Sequence, residues 1–398
     1  MKQNKVKVEL LPHTPFLKYN GKFDRNTAIE YCGKIAGECY EPDGWETLKN
    51  EDENKTKRRV ELTLGLEHST PYEHVNIGFE ITNAPKILLM ALNNERQCAT
   101  SEKSLRYTSI EKGKDPNISE REVFLYQKWM NILKSKIKDR YGDIYSDNKI
   151  QKLAQENSRY LTSVFISTQM VHTIPWIQLN RIASFMQGNI NKKNKNDFEE
   201  RLTPYFKQFI NRLDELDILD ERAMSNRKHR ELSLFNNRKV VDSFGDSYAL
   251  NYKGTFSQLA QTHRHRTSKY SMKLLEEKEY FILPILKDDP VLVDEWLADI
   301  SSIAYAYPQG ELVLINERGT FEDFILKTKE RLCTAAQLEI MLQTRKTLLK
   351  YKEALNVSNH PLKDEINKYT KGARCTFPDY ECAKDCGFEE GKTLVREI

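Results

Sequence analysis

From Val6 to Leu11 apolar and polar residues alternate at the two-residue period of a strand, and Asn26 to Ala36 carries apolar positions at helical spacing. Glu41 to Arg58 is charged and polar and reads as an exposed connection. Val60 to Leu66 leads into Glu67-His68-Ser69-Thr70-Pro71-Tyr72-Glu73-His74, after which Val75 to Thr82 alternates as a strand. Histidines and carboxylates just before a strand fall where ligand-contacting loops are usual. Pro85 is followed by an apolar helix from Lys86 to Leu92, then Asn94-Glu95-Arg96 and the polar run Ser101 to Tyr107. Gln151 to Tyr160 is helical, Ser163 to Ile174 is rich in β-branched residues at strand spacing, and Gln178 to Met186 is helical again. Asn189 to Asn196 reads as a loop and Phe198 to Leu219 as an amphipathic helix.

The second half has the same order. Val240 to Asn251 is a strand, and Gly254 to Ala260 opens a helix that leads to Arg264-His265-Arg266. Phe281 to Pro284 closes that loop, Pro290 to Tyr305 is a helix and Glu311 to Ile315 a strand. Asn316-Glu317-Arg318 then precedes a long helical stretch through Arg331, Gln337 and Glu339 to Leu355. Strand, helix, motif loop, helix, strand, helix occurs twice, which predicts a duplicated α+β unit. The charged segment from Asp220 to Arg230 marks the boundary, with domains over 1–225 and 226–398 and a cysteine-bearing tail over 372–398.

Composition narrows the setting. A chain of 398 residues is too long for one ordinary core and suits two. Net charge is +4 with acids and bases interspersed, which argues against a nucleic-acid polymer and for local binding of any anion. No apolar run is long enough for a membrane span or a signal peptide, so a soluble, cytoplasmic protein is expected. Cys32, Cys39, Cys98 and Cys333 are scattered singly, as reduced core thiols usually are, whereas Cys375, Cys382 and Cys386 crowd the tail. Three thiols fall short of the four ligands of a zinc site, so no metal is expected.

The stretch Gln258 to Tyr270 carries the clearest chemistry. If its helix continues to the basic triplet, helical spacing puts Gln261, Arg264 and His265 on one face. An amide can read a base edge or ribose, and a guanidinium grips phosphate through two parallel hydrogen bonds. A solvated helix end, whose dipole also favours cations, explains the same residues. No Cys-His or Ser-His pair offers a nucleophile.

His68-Ser69-Thr70-Pro71-Tyr72-Glu73-His74, Arg264-His265-Arg266, Asn316-Glu317-Arg318, and Arg331 with Ala336-Gln337-Leu338-Glu339-Ile340 resemble the motifs of the flavin-dependent thymidylate synthases. They occur in family order over most of the chain. The first half has Asn94-Glu95-Arg96 in place of Arg-His-Arg, yet keeps Glu102, Ser104, Arg106, Tyr107 and Arg159. The second half keeps the triplet but has Glu277-Lys278-Glu279-Tyr280 where Ser-x-Arg-Tyr would fall, and Lys269 where the family usually has serine.

The resemblance implies an α+β fold of two tandem copies of the flavin-dependent thymidylate synthase-like fold, a pseudo-dimer in one chain with a mixed or antiparallel sheet and long helices. Family enzymes are homotetramers with sites shared between subunits, so complementary losses imply a homodimer of fused chains with one composite site per chain. The implied reaction moves a one-carbon unit from methylenetetrahydrofolate to C5 of dUMP, with reduced FAD as electron source and NADPH as reductant of the flavin. Gln261, Arg264, Arg331, Ser104, Leu105, Arg106 and Arg159 would bind dUMP, with Arg264, Arg331 and Arg159 as the catalytic arginines. Thr70, Glu73, Glu102, His265, Arg266, Asn316 and Arg318 would contact FAD. Two other readings remain: a pyrimidine-nucleotide C5 hydroxymethylase or methylase with altered substrate or product, and a degenerate, non-catalytic nucleotide-binding protein.

Overall fold

A computed structural model describes residues 5–104, 110, 115–225, 230–238, 240–382, 386 and 392–398. Leu105, Arg106 and Tyr107 lie outside the described residues. Two compact units emerge, one of Met1–Lys103 with Ser167–Leu232, the other of Ser104–Ile166 with Ser233–Ile398. Ser104 and Arg159, which precede the sequence boundary, therefore fall in the unit that carries the basic triplet.

The first unit holds strands β1 (Lys7–Leu10), β2 (Asn76–Pro85), β3 (Ala99–Glu102) and β4 (Ser167–Pro175) in one antiparallel sheet of order β1-β2-β4-β3. Residues of β4 alternate between buried and more exposed, so one face of the sheet packs inward. The Asp197–Glu215 helix covers it, with the Phe209 ring tilted against that of Phe79 of β2 at 6.2 Å between centres. That helix starts where Asn196 and Glu199 form a reciprocal capping box, and its buried Phe198, Leu202, Tyr205, Phe206, Phe209 and Leu213 follow helical spacing. The expected connection from Glu41 to Arg58 is instead largely helical, with helices at Trp45–Leu48 and Glu53–Gly65. Asp52 caps the second, and Thr56, Val60 and Leu64 give a narrow buried stripe one residue wide that its many charges mask in the sequence.

The second unit holds β5 (Ser243–Phe244), β6 (Ser247–Thr255), β7 (Lys269–Leu274) and β8 (Leu312–Thr320), also antiparallel, in the order β5-β6-β8-β7. The two strand orders are the same, element for element. In both sheets the second strand runs straight into a helix (Lys86–Asn94, Phe256–Thr262), and so does the fourth (Trp176–Asn191, Phe321–Arg331). Tandem copies of one α+β unit give this pattern.

Beside the second sheet lies a helical core. The Glu120–Tyr141 helix buries Leu125, Trp129, Leu133 and Ile137 on one stripe, and Trp129 meets Trp296 edge to face at 4.9 Å. Asp299, in the Pro290–Ser301 helix, accepts hydrogen bonds from Trp129 Nε1 (3.0 Å) and Arg121 Nη2 (3.0 Å), which satisfies the indole in the core. Gly310 lets the chain pass close by: a Cβ there would come within 2.8 Å of Ile300 and 2.9 Å of Tyr160. Among the described residues no helix is long and apolar enough to cross a membrane.

Candidate active site

The helix that was expected to carry the basic triplet ends before it. It spans Phe256–Thr262, with His263 as its C-cap. The next amides reach back only three residues, Arg264 N to Gln261 O (3.3 Å) and His265 N to Thr262 O (2.9 Å). This tightening rotates the side chains apart. Gln261 and His265 are buried, whereas Arg264 and Arg266 are exposed, so the three residues do not share a helix face.

His265 is a fixed acceptor. Arg331 Nε, from the end of the Phe321–Arg331 helix, donates to His265 Nε2, and His265 Nδ1 lies 3.3 Å from Glu330 Oε2. An accepting Nε2 requires the ring proton on Nδ1, facing that carboxylate. Arg331 is thereby held on the turn formed by the triplet. Two sequence-selected residues, His265 and Arg331, meet in space; their orienting partner Glu330 was not selected.

Along β8 the motif Asn316-Glu317-Arg318 divides between the faces of the sheet. The strand continues to Thr320, so these residues lie within it and not at its end. Asn316 and Arg318 share one face and Glu317 takes the other. Asn316 Nδ2 donates to Leu250 O (3.2 Å), and Ser271 stands directly opposite Asn316 on β7. Ser271 is buried, and its hydroxyl has no hydrogen-bond partner. One step along, Lys269 stands directly opposite Arg318, both exposed. No carboxylate pairs with Lys269, Arg318 or Arg264 among the described residues. Like charges directly opposite on a sheet destabilise it, so the pairing is not one that folding alone favours.

Glu317 faces a sealed interior. Its carboxylate is fully buried and accepts from Lys327 Nζ (2.6 and 2.7 Å), Tyr248 OH (2.8 Å) and Tyr252 OH (2.9 Å). Burial pulls the Lys327 ammonium below its ordinary value, with Glu317 opposing that shift. This part of the motif is structural.

A second buried network joins the remaining motif. Gln337 Nε2 donates to Tyr160 OH (2.6 Å), and Tyr160 OH donates to Glu339 Oε2 (3.0 Å). Glu339 also accepts from Thr255 N (2.8 Å) and Thr255 Oγ1 (2.6 Å), which pins the start of the Phe256–Thr262 helix. Burial pushes the Glu339 carboxyl above its ordinary value, while these donors and the nearby Arg159 charge pull it back. Arg159 is itself buried beside Tyr160. Gln337 and Glu339 thus support the site from behind, and Tyr160 and Thr255, absent from the sequence selection, complete the support. Thr255 is legible in retrospect as an N-cap threonine before a helix.

Thr70, Glu73 and Glu102 belong to the first unit. Thr70 and Glu73 are exposed on a single 3₁₀ turn, Thr70–Glu73, whose Tyr72 packs 6.0 Å from Trp176. Thr70, Pro71, His68 and His74 help line a cavity of about 970 Å³ with Arg58 and Arg59. Glu102 is committed locally: its carboxylate accepts from Lys86 Nζ (2.5 Å) and Asn93 Nδ2 (3.4 Å), largely out of water. Ser104 is half-buried in the second unit.

Counting from the strand–helix junctions, Asn94, Glu95 and Arg96 fall where the second copy has Arg264, His265 and Arg266. Glu95 is buried like His265, and it too receives an arginine: Arg230 Nη2 donates at 2.6 Å, with its guanidinium 4.8 Å from the centre of the Phe185 ring. Both copies keep a buried acceptor holding an arginine, with different residues supplying each part.

Residues 24–188 match the family model described as Thymidylate synthase complementing protein. The match covers the His68 to His74 segment, Ser104 and Arg159 and stops short of the basic triplet. The flavin-dependent thymidylate synthase of Clostridium tetani (strain Massachusetts / E88) is 24% identical over 183 residues, which are 42% of this chain and 69% of that protein. Among solved structures, the UMP/dUMP methylase PolB from Streptomyces cacaoi, bound with 5-Br dUMP, is 14% identical with a TM-score of 0.33, over 55% of this chain and 93% of its own. Thymidylate Synthase X (ThyX) from Helicobacter pylori, with FAD and dUMP, is 16% identical with a TM-score of 0.32, over 56% of this chain and 100% of its own.

Proposed function

We propose that this protein is a flavin-dependent methyltransferase that places a one-carbon unit from methylenetetrahydrofolate on C5 of dUMP. The observation that carries this reading is the set of exposed cations without carboxylate partners, Arg264 and the opposed Lys269 and Arg318, beside the unpartnered Ser271 hydroxyl. A phosphorylated ligand gives each of them a partner. The exposed guanidinium groups also suit a flavin dinucleotide, which Arg266 and Arg318 would hold with Asn316, while His265, whose two ring nitrogens are engaged by Arg331 and Glu330, would act through Arg331. FAD, reduced by NADPH, supplies the electrons that bring the transferred carbon to the methyl level.

The protein's own work is positioning and charge stabilisation. Gln261 and Arg264 would bind the nucleotide together with Arg331, whose orientation His265 fixes. Arg159 and Ser104, in the same unit, would join them, and Arg159 would favour negative charge developing on the pyrimidine. Arg106 is part of the reading and lies outside the described residues.

Incubating the purified protein with FAD, NADPH, methylenetetrahydrofolate and dUMP, and weighing the nucleotide by mass spectrometry, tests this directly. A methyl adduct is the expected result. A hydroxymethyl adduct would move the reading to the altered-product enzyme, and failure to bind either FAD or dUMP at micromolar concentration would overturn both. His265→Ala removes the acceptor that holds Arg331, and a hydrogen bond to a charged group is worth about 1.5–3 kcal/mol. Titration with dUMP should then show binding weakened roughly tenfold or more, which is the size of about 1.4 kcal/mol. His265→Gln keeps an acceptor and should recover most of the loss; if it binds as poorly as the alanine variant, Arg331 is not held this way.

A further inference from the structure

Glu330 stands next to last in the Phe321–Arg331 helix, and the last turn of a helix favours cations because its carbonyls leave partial negative charge there. Lys329 and Arg331 follow that preference and Glu330 opposes it, so helix stability does not account for an acid at this position. Its carboxylate reaches two side chains. Oε2 lies 3.3 Å from His265 Nδ1 and 3.8 Å from Arg331 Nη2, and among the described residues no other partner holds it. His265 is almost fully buried, with 2% of its side chain exposed, whereas Glu330 is half-exposed at 47%. Because Arg331 Nε donates to His265 Nε2, the three side chains close a ring: carboxylate to imidazole, imidazole to guanidinium, guanidinium back to carboxylate.

The imidazole works in this ring only as one of its two neutral tautomers. A free imidazole side chain favours the proton on Nε2, which would set an N–H against the Arg331 Nε–H. An acceptor facing Nδ1 reverses that preference. The first copy supplies the contrast. Counting from the strand–helix junctions, Glu95 stands where the second copy has His265, and Phe185 where it has Glu330. A carboxylate acceptor has no proton to be placed, and there Arg230 donates to Glu95 while its guanidinium lies 4.8 Å from the centre of the Phe185 ring. Where the buried acceptor is an imidazole, the neighbouring position is an acid. Where it is a carboxylate, that position is an aromatic ring that carries the guanidinium.

We infer that Glu330 is a positioning residue of the nucleotide site: it holds the His265 proton on Nδ1, keeps Nε2 an acceptor, and so fixes the Arg331 guanidinium by one edge. Nε and Nη2 form that edge, and the fork of Nη1 and Nη2 is the part that grips the ligand. Loss of the acid changes the tautomer, and the tautomer changes where Arg331 points. The role rests on the proposed function for its ligand and on the unliganded protein for its tautomer.

Full-length protein with histidine isotopically labelled at its ring nitrogens reads the tautomer by long-range proton–nitrogen NMR, without ligand, at about pH 8, where histidine is ordinarily neutral. The His265 signal is assigned by its absence from His265→Gln. It should show the proton on Nδ1 in the parent and in Glu330→Gln, whose carbonyl still accepts, and should move toward Nε2 in Glu330→Ala. Titration with dUMP should show Glu330→Ala binding about tenfold more weakly, the loss of one hydrogen bond to a charged group, and Glu330→Gln within about twofold of the parent. Because Glu330 is half-exposed, both variants should melt near the parent. In a His265→Gln background, whose amide accepts with no tautomer to choose, Glu330→Ala should cost almost nothing. A parent His265 with its proton on Nε2, or the same loss from Glu330→Ala in the His265→Gln background, overturns the inference. A parent that shows the Nδ1 tautomer and does not bind dUMP overturns the proposed function and leaves the tautomer assignment standing.

Discussion

Lys327→Met is expected to destabilise the protein by about 3–5 kcal/mol, because removing one member of a buried ion pair leaves the other charge uncompensated. Lys327 and Glu317 are both buried, and after the change only the hydroxyls of Tyr248 and Tyr252 would face the carboxylate. Two hydroxyl hydrogen bonds do not replace a counter-ion out of water. Urea denaturation followed by circular dichroism measures the loss. A double variant, Lys327→Met with Glu317→Leu, removes both charges and should recover much of the stability, since apolar replacement of a whole buried pair is often neutral or better. If the double variant is no more stable than the single one, the uncompensated charge is not the cause.

Arg264→Ala is expected to lower kcat/KM for dUMP methylation about 10²–10³-fold, the usual effect of deleting one donor that stabilises developing charge. The side chain is exposed and no carboxylate pairs with it among the described residues, so the melting temperature should stay near that of the parent. Arg264→Lys keeps the charge but loses the planar fork, and should fall between the two. A large loss of activity with an unchanged thermal melt supports direct contact with the ligand. Unchanged kcat/KM would remove Arg264 from the site.

Much of the scaffold is legible in the sequence because its period is strong. The strands β2, β4, β6 and β8, each entering a helix, follow alternation or β-branched runs that no helix would favour. The Glu53–Gly65 helix escapes because its buried stripe is only three residues among charges. The strand β7 escapes because it is short and begins beside the motif loop, although Lys-Tyr-Ser-Met alternates as a strand should. The Glu120–Tyr141 helix lies where no motif draws attention, yet its Ser119–Glu122 capping box is written in the sequence.

The site is legible in type and less so in role. His265 and Arg331, assigned by resemblance to different ligands, meet in the fold, and the helix end that turns Arg264 outward depends on the cap at His263. Glu317, Gln337 and Glu339 read as motif chemistry, and in the fold they are buried acceptors and donors within networks. Those partners are far apart in sequence, Tyr160 and Thr255 for Glu339, so no local pattern reveals them.

The Lys269–Arg318 pairing limits how this protein can be improved. It is a point of local frustration, where the preferred choice for folding conflicts with the choice in the chain. A stabilising redesign guided by folding alone would place an acid at 269, gaining a cross-strand ion pair. On the proposed function, the same change would cancel the positive potential that would draw an anionic ligand to this edge of the sheet. Tolerance at 269 should therefore divide by what is selected: acids enriched when folding is screened, cations retained when turnover is.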